Sequence, residues 1–279
     1  MVDREGRILT ALEAHGAVSV VDLARELGVS EVTIRKDLDG LERRSLLRRT
    51  RGGALPPERG DEGAFADRMR RASDAKRAIA RRAAELVEDG DVIALDTSTT
   101  AHVLAQELLS RQGLVVITQS LPTATLLAER SSFRVIMPGG TLRRESAGFV
   151  GQIGDALAGR GRIRRAFVGA VGLSPERGLL ELATDEAVSK QALVAASDEV
   201  HAVFDASKTT AFGMHAFARP EQVTSIITDA SASDEFTSEW VAIGVRVDRV
   251  PLADRTTGTE PVAAWEGSAS RRNTQKEHR

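Results

Sequence analysis

Hydroxyl-bearing side chains cluster at residues 96–100, DTSTT, directly after the apolar run VIAL. The hydroxyls of Ser98, Thr99 and Thr100 could hold an anion together with the backbone N–H groups of a helix that begins there. Helix N-termini favour anions because their first N–H groups lack intrahelical partners and carry a positive partial charge. With Asp96 as its first residue, this loop is a candidate site for the anionic group of a ligand.

Two further loops have the same character. TQS follows the apolar run LVVIT and offers Ser120 as a helix cap, and PGGT follows the run VIM. Glycine in the second of these loops would let the backbone approach a ligand closely. Its candidate residues are Gly139, Gly140 and Thr141. Each loop alone is also typical of an ordinary strand-to-helix turn in which serine and threonine only cap. Three such loops in succession favour a ligand site.

Lysine is rare in this chain, since only five of its 38 basic residues are lysine and the rest are arginine. Lysine presents a compact ammonium and arginine a planar fork, so the two are not interchangeable where a point charge is needed. Lys190 in EAVSKQAL and Lys208 in DASKTT are therefore candidates to supply positive charge to a bound anion. The alternative is that both are ordinary surface residues.

The segments that must position these loops alternate between helix-like and strand-like patterns. From Lys76 onward, helical KRAIARRAAELV precedes apolar DVIALD, helical AHVLAQELL, apolar LVVIT, helical LPTATLLAE and apolar FRVIM, and the alternation continues to about residue 250. This alternation predicts an α/β fold with a mostly parallel sheet covered on both faces. Ligands of such sheets bind at the carboxyl ends of the strands, where we expect the three loops to lie.

A set of arginines with no acidic residue between them lies near the N-terminus, although the 279-residue chain has a net charge of −2. Its members are Arg43, Arg44, Arg48, Arg49 and Arg51. Arginines clustered in this way can neutralise DNA phosphates and release counterions from the duplex. The alternative is the solvated basic rim of a small helical subdomain.

The sequence before and within this set predicts a helix-turn-helix with a wing. In SVVDLAREL the apolar residues recur at helical spacing, and Gly28 ends the pattern. Ser30 can cap the next helix, in which Ile34, Leu38 and Leu41 share one face. The side chains directed away from that face include Thr33, Arg35 and Lys36. The following LLRRTRGGAL is typical of two short strands with a glycine reversal, which would place arginines beside the phosphates.

Residues 28–54, GVSEVTIRKDLDGLERRSLLRRTRGGA, resemble the DNA-binding signature of the DeoR family of bacterial transcriptional regulators. The family pattern has a T-x-R-R-D-L core followed by an L-L-R-R-x-x-G-G-A wing. The resemblance implies that the chain binds double-stranded operator DNA. The DNA-contacting residues that it implies are Ser30, Thr33, Arg35, Lys36, Arg48, Arg49 and Arg51.

The resemblance continues through LDTSTTA, TQSLPTA, PGGTLRRESAGFVG, EAVSKQAL and DASKTTAFGMHAF, in family order between residues 76 and 217. In that family the larger domain is similar to the ribose-5-phosphate isomerase and CoA-transferase type of α/β fold, and it senses phosphorylated sugars or related metabolites. The effector-binding residues that we expect on this basis are Asp96, Ser98, Thr99, Thr100, Ser120, Gly139, Gly140, Thr141, Lys190 and Lys208.

The sequence departs from the family pattern within several of these motifs. Ser98 stands where the family has glycine, Gln119 replaces the asparagine of T-N-S, and Val171 replaces the carboxylate of an A-D-G motif. GLLE at 178–181 replaces a common G-L-T-T. These differences leave the fold inference intact, but they point to a different effector or to a degenerate effector site.

Composition excludes several other classes of protein. The absence of cysteine excludes disulfides, thiolate nucleophiles and cysteine-ligated zinc, and the five histidines show no metal-ligand spacing. No apolar run is long enough for a membrane span, and the charged N-terminus is unlike a secretion signal. We therefore expect a cytoplasmic protein with no metal, no cofactor and no membrane partner.

Four regions follow from these patterns: a winged helix-turn-helix at 1–55, a linker at 56–74, an α/β sensing domain at 75–251 and a mobile tail at 252–279. The expected function is transcriptional repression that a phosphorylated sugar modulates. We expect the repressor to be a homo-oligomer, because a symmetric operator matches a symmetric protein. The alternative is a sugar-phosphate isomerase that moves protons with Asp96, Asp185, Glu186 and Lys190. The winged helix favours the repressor, because a free-standing isomerase has no use for it.

Overall fold

Three helices and a small antiparallel sheet form the N-terminal part of the computed structural model, which describes residues 4–15, 17–43, 47–55, 65–151, 162–211 and 213–252. The helices are α1 (Arg4–His15), α2 (Val20–Leu27) and α3 (Glu31–Arg43). The strands are β1 (Val18–Ser19), β2 (Arg48–Arg49) and β3 (Gly53–Leu55), with β3 in the centre of the sheet.

The boundaries and the buried face of the helix-turn-helix agree with the sequence prediction. Gly28 ends α2 with φ of 67°, a left-handed conformation that glycine adopts without strain. The hydroxyl of Ser30 accepts the N–H of Thr33 at 3.1 Å, as a helix cap does. The predicted apolar face of α3 is fully buried in the core of this part of the chain, through Ile34, Leu38 and Leu41.

The wing is closed by glycine at the point where β3 approaches β1. The N–H of Thr50 donates to the carbonyl of Gly53 at 3.0 Å and closes the reversal. A Cβ atom at Gly53 would lie 1.8 Å from the carbonyl oxygen of Val18, so no larger residue fits there. The predicted strand pair is confirmed, and it is joined by β1, which the sequence did not indicate.

Two helices follow, one within the region predicted as a linker and one that begins at its end. They are α4 (Phe65–Arg70) and α5 (Ser73–Ala84). The expectation that this region becomes helical toward its end is confirmed by α4 and by the first residues of α5, with a turn at residues 71–72 between them. The remainder of the predicted linker, 56–64, lies outside the described residues, and so does the predicted tail from residue 253.

Seven parallel strands form the central sheet of the larger domain, as the alternating pattern predicted. Their bounds are β4 (Val92–Leu95), β5 (Val115–Thr118), β6 (Arg134–Ile136), β9 (Ile163–Val168), β12 (Ser197–Val203), β14 (Ser225–Asp229) and β15 (Arg246–Val250). Their order in the sheet is β15-β14-β12-β9-β4-β5-β6. The helices that connect them are α6 (Thr99–Glu107), α7 (Leu121–Arg130), α8 (Thr184–Ala195) and α9 (Asp234–Ala242).

Apolar side chains cover both faces of this sheet. Ala94 belongs to one buried cluster, and its neighbours Ile93 and Leu95 belong to another. Likewise, Ala166 belongs to the first cluster and its neighbour Phe167 to the second, as expected when successive side chains of a strand point to opposite faces. No helix among the described residues has the length and apolar character needed to cross a bilayer.

Two antiparallel additions were not predicted. One is the hairpin of β7 (Thr141–Arg143) and β8 (Gly148–Val150), and the other is a sheet of β10 (Gly172–Ser174), β11 (Gly178–Glu181) and β13 (His215–Ala218). These strands are short, and β13 pairs with β11 across more than thirty residues of chain. Local alternation of helix and strand patterns carries no signal for such pairing.

The chain reverses its direction of travel across the sheet at β4. From β4 it moves outward to β5 and then β6, and it returns to add β9 on the other side of β4. Loops that leave neighbouring strands in opposite directions open a crevice at the carboxyl ends of those strands. The loop after β4 and the loop after β9 therefore face one crevice.

Candidate functional site

The outward surface of α3 is polar and basic. Arg35 and Lys36 are exposed, and Arg35 pairs with Glu31 one turn earlier at 2.6 Å. The hydroxyl of Thr33 lies 2.9 Å from that of Ser30 at the helix start. These four predicted DNA-contacting residues, Ser30, Thr33, Arg35 and Lys36, thus lie along the N-terminal half of one helix.

The wing arginines differ in their surroundings. Nε of Arg49 lies 3.1 Å from a carboxylate oxygen of Asp39 on α3, and the backbone N–H of Arg49 donates to Glu42 at 2.7 Å. Arg48 and Arg51 are exposed. Arg49 therefore holds the wing against α3, while Arg48 and Arg51 extend the basic surface of the helix.

A cavity of about 430 Å³ lies at the carboxyl ends of β4, β9 and β12, where the reversal at β4 predicts a crevice. Three loops of the sheet and the region of α4 and α5 line it. The lining includes Arg68, Arg71, Ala72, Lys76, Thr97, Ser98, Thr99, Thr100, Gly169, Ala170, Val171, Glu181, Glu186, Lys190, Asp205, Ser207 and Lys208.

Asp96 joins the loops after β4 and β9 beneath this cavity. One carboxylate oxygen accepts the N–H of Ser98 at 2.9 Å, and the other accepts the N–H of Gly169 at 2.8 Å. The hydroxyl of Ser98 accepts the N–H of Ala101 at 3.2 Å and so caps α6. The capping role proposed as the alternative for this loop is therefore present, and the same loop also faces the cavity through Ser98, Thr99 and Thr100.

The ammonium of Lys190 is surrounded by acceptors. It lies 2.8 Å from Asp96, donates to the carbonyl of Gly169 at 2.8 Å and is hydrogen-bonded to Glu181. Burial disfavours its charge, but the attraction of Asp96 and Glu181 outweighs this effect and raises the pKa of Lys190 above its usual value. An ammonium has three N–H donors, and all three are used here. Lys190 thus lines the cavity without a donor to spare for a ligand.

Lys208 occupies a different environment. It ends a short 3₁₀ helix, Ala206–Lys208, which Asp205 caps by accepting the N–H of Ser207 at 3.2 Å. The side chain is partly exposed, lines the cavity and forms no salt bridge within the described part of the chain. Of the two lysines singled out by the sequence, Lys208 is the one with an ammonium available to an anion.

The other two predicted loops lie away from the cavity. Ser120 is fully buried and caps α7, since its hydroxyl accepts from Thr123. Gly139, Gly140 and Thr141 are exposed at the start of β7. None of these four lines the cavity. They follow β5 and β6, which lie on the opposite side of β4 from β9 and β12, so the structure does not bring all three loops together at this cavity.

The cavity also has residues that sequence reasoning missed. Arg68 of α4, Lys76 of α5 and Arg71 of the turn between them line it, although that region was assigned to the linker and to an ordinary first helix. The side chain of Lys76 is 4% exposed, and burial lowers the pKa of its ammonium to about 8. The rarity of lysine was the available signal, because Lys76 is one of only five.

The residues considered for proton transfer are held in other roles. Glu186 lies 3.3 Å from the guanidinium of Arg143 and accepts the hydroxyl of Thr97 at 3.2 Å. Asp185 is exposed and lies outside the cavity lining. Among the described residues, no group of three or more histidines and carboxylates could hold a metal ion.

A winged helix-turn-helix joined to an α/β domain with a charged cavity defines a ligand-sensing transcriptional regulator. Residues 4–59 match the family described as the DeoR-like helix-turn-helix domain, and residues 71–230 match the DeoR C-terminal sensor domain. The chain belongs to the DeoR family and is a DNA-binding transcriptional regulator.

Curated relatives share this organisation over most of their length. The glycerol-3-phosphate regulon repressor of Escherichia coli strain K12 is 30% identical over 227 residues, which are 81% of this chain and 90% of the relative. The transcriptional regulator GlpR of Haloferax volcanii is 32% identical over 246 residues, 88% of this chain and 96% of the relative. Both are named as regulators rather than enzymes, in agreement with the expectation for this chain.

One similar solved structure is ribose 5-phosphate isomerase A from Methanocaldococcus jannaschii. The alignment includes 50% of this chain and 55% of the isomerase chain, with 20% sequence identity and a TM-score of 0.38. A similarity at that level supports no argument about function.

Proposed function

We propose that this chain represses transcription and that a phosphorylated sugar or a related phosphorylated metabolite, bound in the cavity, alters its affinity for operator DNA. The observation that carries the proposal is the position of the Ser98–Thr100 loop, which starts α6 at the cavity beside the unpaired ammonium of Lys208. Backbone N–H groups at a helix start and a nearby cation both favour an anion.

The size of the cavity supports a small metabolite. Cavities that hold small molecules generally have volumes of roughly 300 to 1,000 Å³, and about 430 Å³ falls in the lower part of this range. The name of the Escherichia coli relative refers to glycerol 3-phosphate, a compound that combines a short polyol with a phosphate. Both observations favour a phosphorylated ligand of few carbon atoms.

For DNA, we infer that α3 enters the major groove and that the wing lies beside the phosphates. Ser30, Thr33, Arg35 and Lys36 would then face the bases and the adjacent backbone, and Arg48 and Arg51 would face phosphates. We infer further that the protein acts in the cytoplasm as a homo-oligomer, because a symmetric operator needs two copies of the winged helix.

Thermal unfolding and calorimetry with matched ligands test the effector class. We expect one or more phosphorylated polyols or sugars to raise the melting temperature, and their dephosphorylated counterparts to have no effect. Lys208→Ala should weaken binding of the phosphorylated ligand by about ten-fold or more, since a hydrogen bond to a charged group contributes about 1.5 to 3 kcal/mol. Arg130→Ala, an exposed residue at the end of α7, is the control. Equal affinity for the two members of a pair would contradict a phosphate site.

A further inference from the structure

The region of α4 and α5 contributes a strongly basic wall to the cavity. We call this surface, formed by Arg68, Arg71 and Lys76, the linker wall. Arg68 lies between the two regions that match the family models, 4–59 and 71–230, and Arg71 and Lys76 lie at the start of the second region. A ligand in the cavity would therefore contact both the parallel sheet and the chain that leads to the winged helix.

The charges that line the cavity do not balance. Lys190 is paired with both Asp96 and Glu181, a group that keeps one negative charge, and Glu186 is paired with Arg143. The other charges of the lining are the cations Arg68, Arg71, Lys76 and Lys208 and the carboxylate of Asp205, so four cations face two negative charges. A surplus of cations in a partly enclosed space attracts an anion, because the low local dielectric strengthens the interaction.

Two polar groups of the linker wall are buried without a direct ion pair to a carboxylate of the described residues, since Asp205 attracts the ammonium of Lys76 only from beyond salt-bridge distance. Nε of Arg68 is buried and has no hydrogen-bond partner within the described residues. The ammonium of Lys76 is buried as well, and it donates only to backbone carbonyls, at 2.9 Å to Arg68 and at closer range to Arg71. Buried donors and charges that lack such partners cost free energy, and an anion in the cavity would remove this cost.

The contacts of α4 with the sensor domain are few, and they include the partly buried Met69 against the apolar core. None of its six residues is buried. Phe65 contacts the ring of His102 on α6 edge to face at 5.5 Å, and Arg68 reaches the carbonyl of Glu145 at 3.5 Å. The hydrogen bonds from Lys76 hold the C-terminal end of α4. With apolar contact limited to Phe65 and the partly buried Met69, the attachment of this helix to the domain also depends on the hydrogen bonds at its end.

We propose that the linker wall binds the anionic group of the ligand, and that this contact orders α4 and so transmits ligand binding to the DNA-binding domain. The inference rests on the proposed function and adds to it the residues that connect the two activities. It moves the principal cations for the ligand from Lys190 to Arg68 and Lys76, with Arg71 and Lys208 beside them. A ligand without an anionic group would bind the sheet side of the cavity and leave α4 unaffected.

The first test uses inorganic phosphate as the probe and the full chain as the protein. Phosphorus NMR titration should show that wild type binds phosphate, and that Arg68→Ala and Lys76→Met each weaken binding by about ten-fold or more, the loss of one hydrogen bond between charged groups. Arg70→Ala and Arg77→Met are matched controls. They are neighbours on the same helices, pair with Asp67 and Asp74 instead, and lie outside the cavity lining. Wild-type affinity in both test variants would overturn the inference.

Hydrogen exchange gives a second readout that does not depend on a stable variant. Addition of phosphate to wild type should slow amide exchange in residues 65–76 as well as in the loop at 96–101. Protection confined to 96–101 would overturn the role of the linker wall. If phosphate binds the wall as described but no phosphorylated sugar or polyol changes DNA affinity, the inferred anion site stands and the proposed function fails.

Discussion

The ammonium of Lys190 lies 2.8 Å from Oδ2 of Asp96, and both side chains are buried beneath the cavity. Asp96 also accepts the N–H groups of Ser98 and Gly169, so this ion pair lies at the junction of the loops after β4 and β9. The pair therefore fixes the floor of the cavity, whereas the linker wall and Lys208 line it.

Replacing Lys190 should lower the free energy of unfolding of the sensor domain more than replacing Lys208 does. Lys190→Met leaves the carboxylates of Asp96 and Glu181 buried without their cation, and removal of one partner of a buried ion pair costs about 3 to 5 kcal/mol. Urea denaturation followed by circular dichroism measures the change. Lys208→Met, at a partly exposed position, should change the free energy of unfolding by less than about 0.5 kcal/mol. Equal, small effects of both substitutions would contradict the supporting role of Lys190.

The wing should contribute sequence-independent affinity for DNA. The double substitution of Arg48 and Arg51 by alanine should weaken binding to all duplexes alike. It should also reduce the slope of log affinity against log salt by about 0.9 for each phosphate contact that is lost. Fluorescence anisotropy across a series of salt concentrations measures both effects. Arg81→Ala, on α5 of the sensor domain, controls for the loss of positive charge. An unchanged salt slope in the double variant would remove the wing from the DNA interface.

A methyl group at Gly169 should damage the effector site. Its Cβ atom would lie 2.5 Å from Cβ of Ser98 and 2.8 Å from its hydroxyl oxygen, so the loop after β4 must shift. We expect Gly169→Ala to weaken ligand binding by about ten-fold and to destabilise the fold by about 1 to 3 kcal/mol. Gly139→Ala is the control, because a Cβ there meets no atom within 4 Å. Loss of ligand binding in Gly139→Ala would instead restore the PGGT loop to the site.

Anion binding should weaken above pH 8 because of Lys76. Burial lowers the pKa of its ammonium from 10.5 to about 8, with Asp205 opposing this shift and Lys208, Arg68 and Arg71 reinforcing it. Only the protonated form attracts phosphate, so affinity should fall by at most about ten-fold for each pH unit above 8. Calorimetry between pH 7 and pH 9.5 should show this slope in Arg77→Met and not in Lys76→Met.

The lowered pKa of Lys76 also determines how the free energy of unfolding changes with pH. Between about pH 8 and pH 10.5 the unfolded chain holds a proton on Lys76 that the folded chain has released. Stability therefore rises with pH in this window for wild type relative to Lys76→Met. The opposite slope would show that the ammonium of Lys76 is stabilised by its surroundings.

Local patterns in the sequence were sufficient for the helix-turn-helix and for the alternation of helices and strands along the larger domain. The spacing of Ile34, Leu38 and Leu41 determines which face of α3 is buried, and Gly28 marks the end of α2, since both signals act within a few residues. Alternation of apolar runs and amphipathic segments likewise predicts a parallel sheet without any knowledge of its strand order.

The composition of the cavity depends on contacts between distant residues, and the sequence predicted only part of it. Ser98, Thr99 and Thr100 were found because a hydroxyl-rich loop after a strand is a local signal. The burial of Lys190 between Asp96 and Glu181 depends on the placement of β9 next to β4, which no local pattern encodes. Arg68 and Lys76 were missed because their helices come to line the cavity only when α4 packs against α6 and α5 packs against α6 and β14.

The central claim, that ligand binding and DNA binding are coupled, is tested most directly by one thermodynamic cycle. The DNA is a duplex selected by the protein from a random pool, and the ligand is a phosphorylated polyol that shifts the melting temperature, paired with its dephosphorylated form. We expect the phosphorylated ligand to change DNA affinity by a factor between about five and 150, and the DNA to change ligand affinity by the same factor. DNA affinity that is identical with and without saturating phosphorylated ligand would contradict the account.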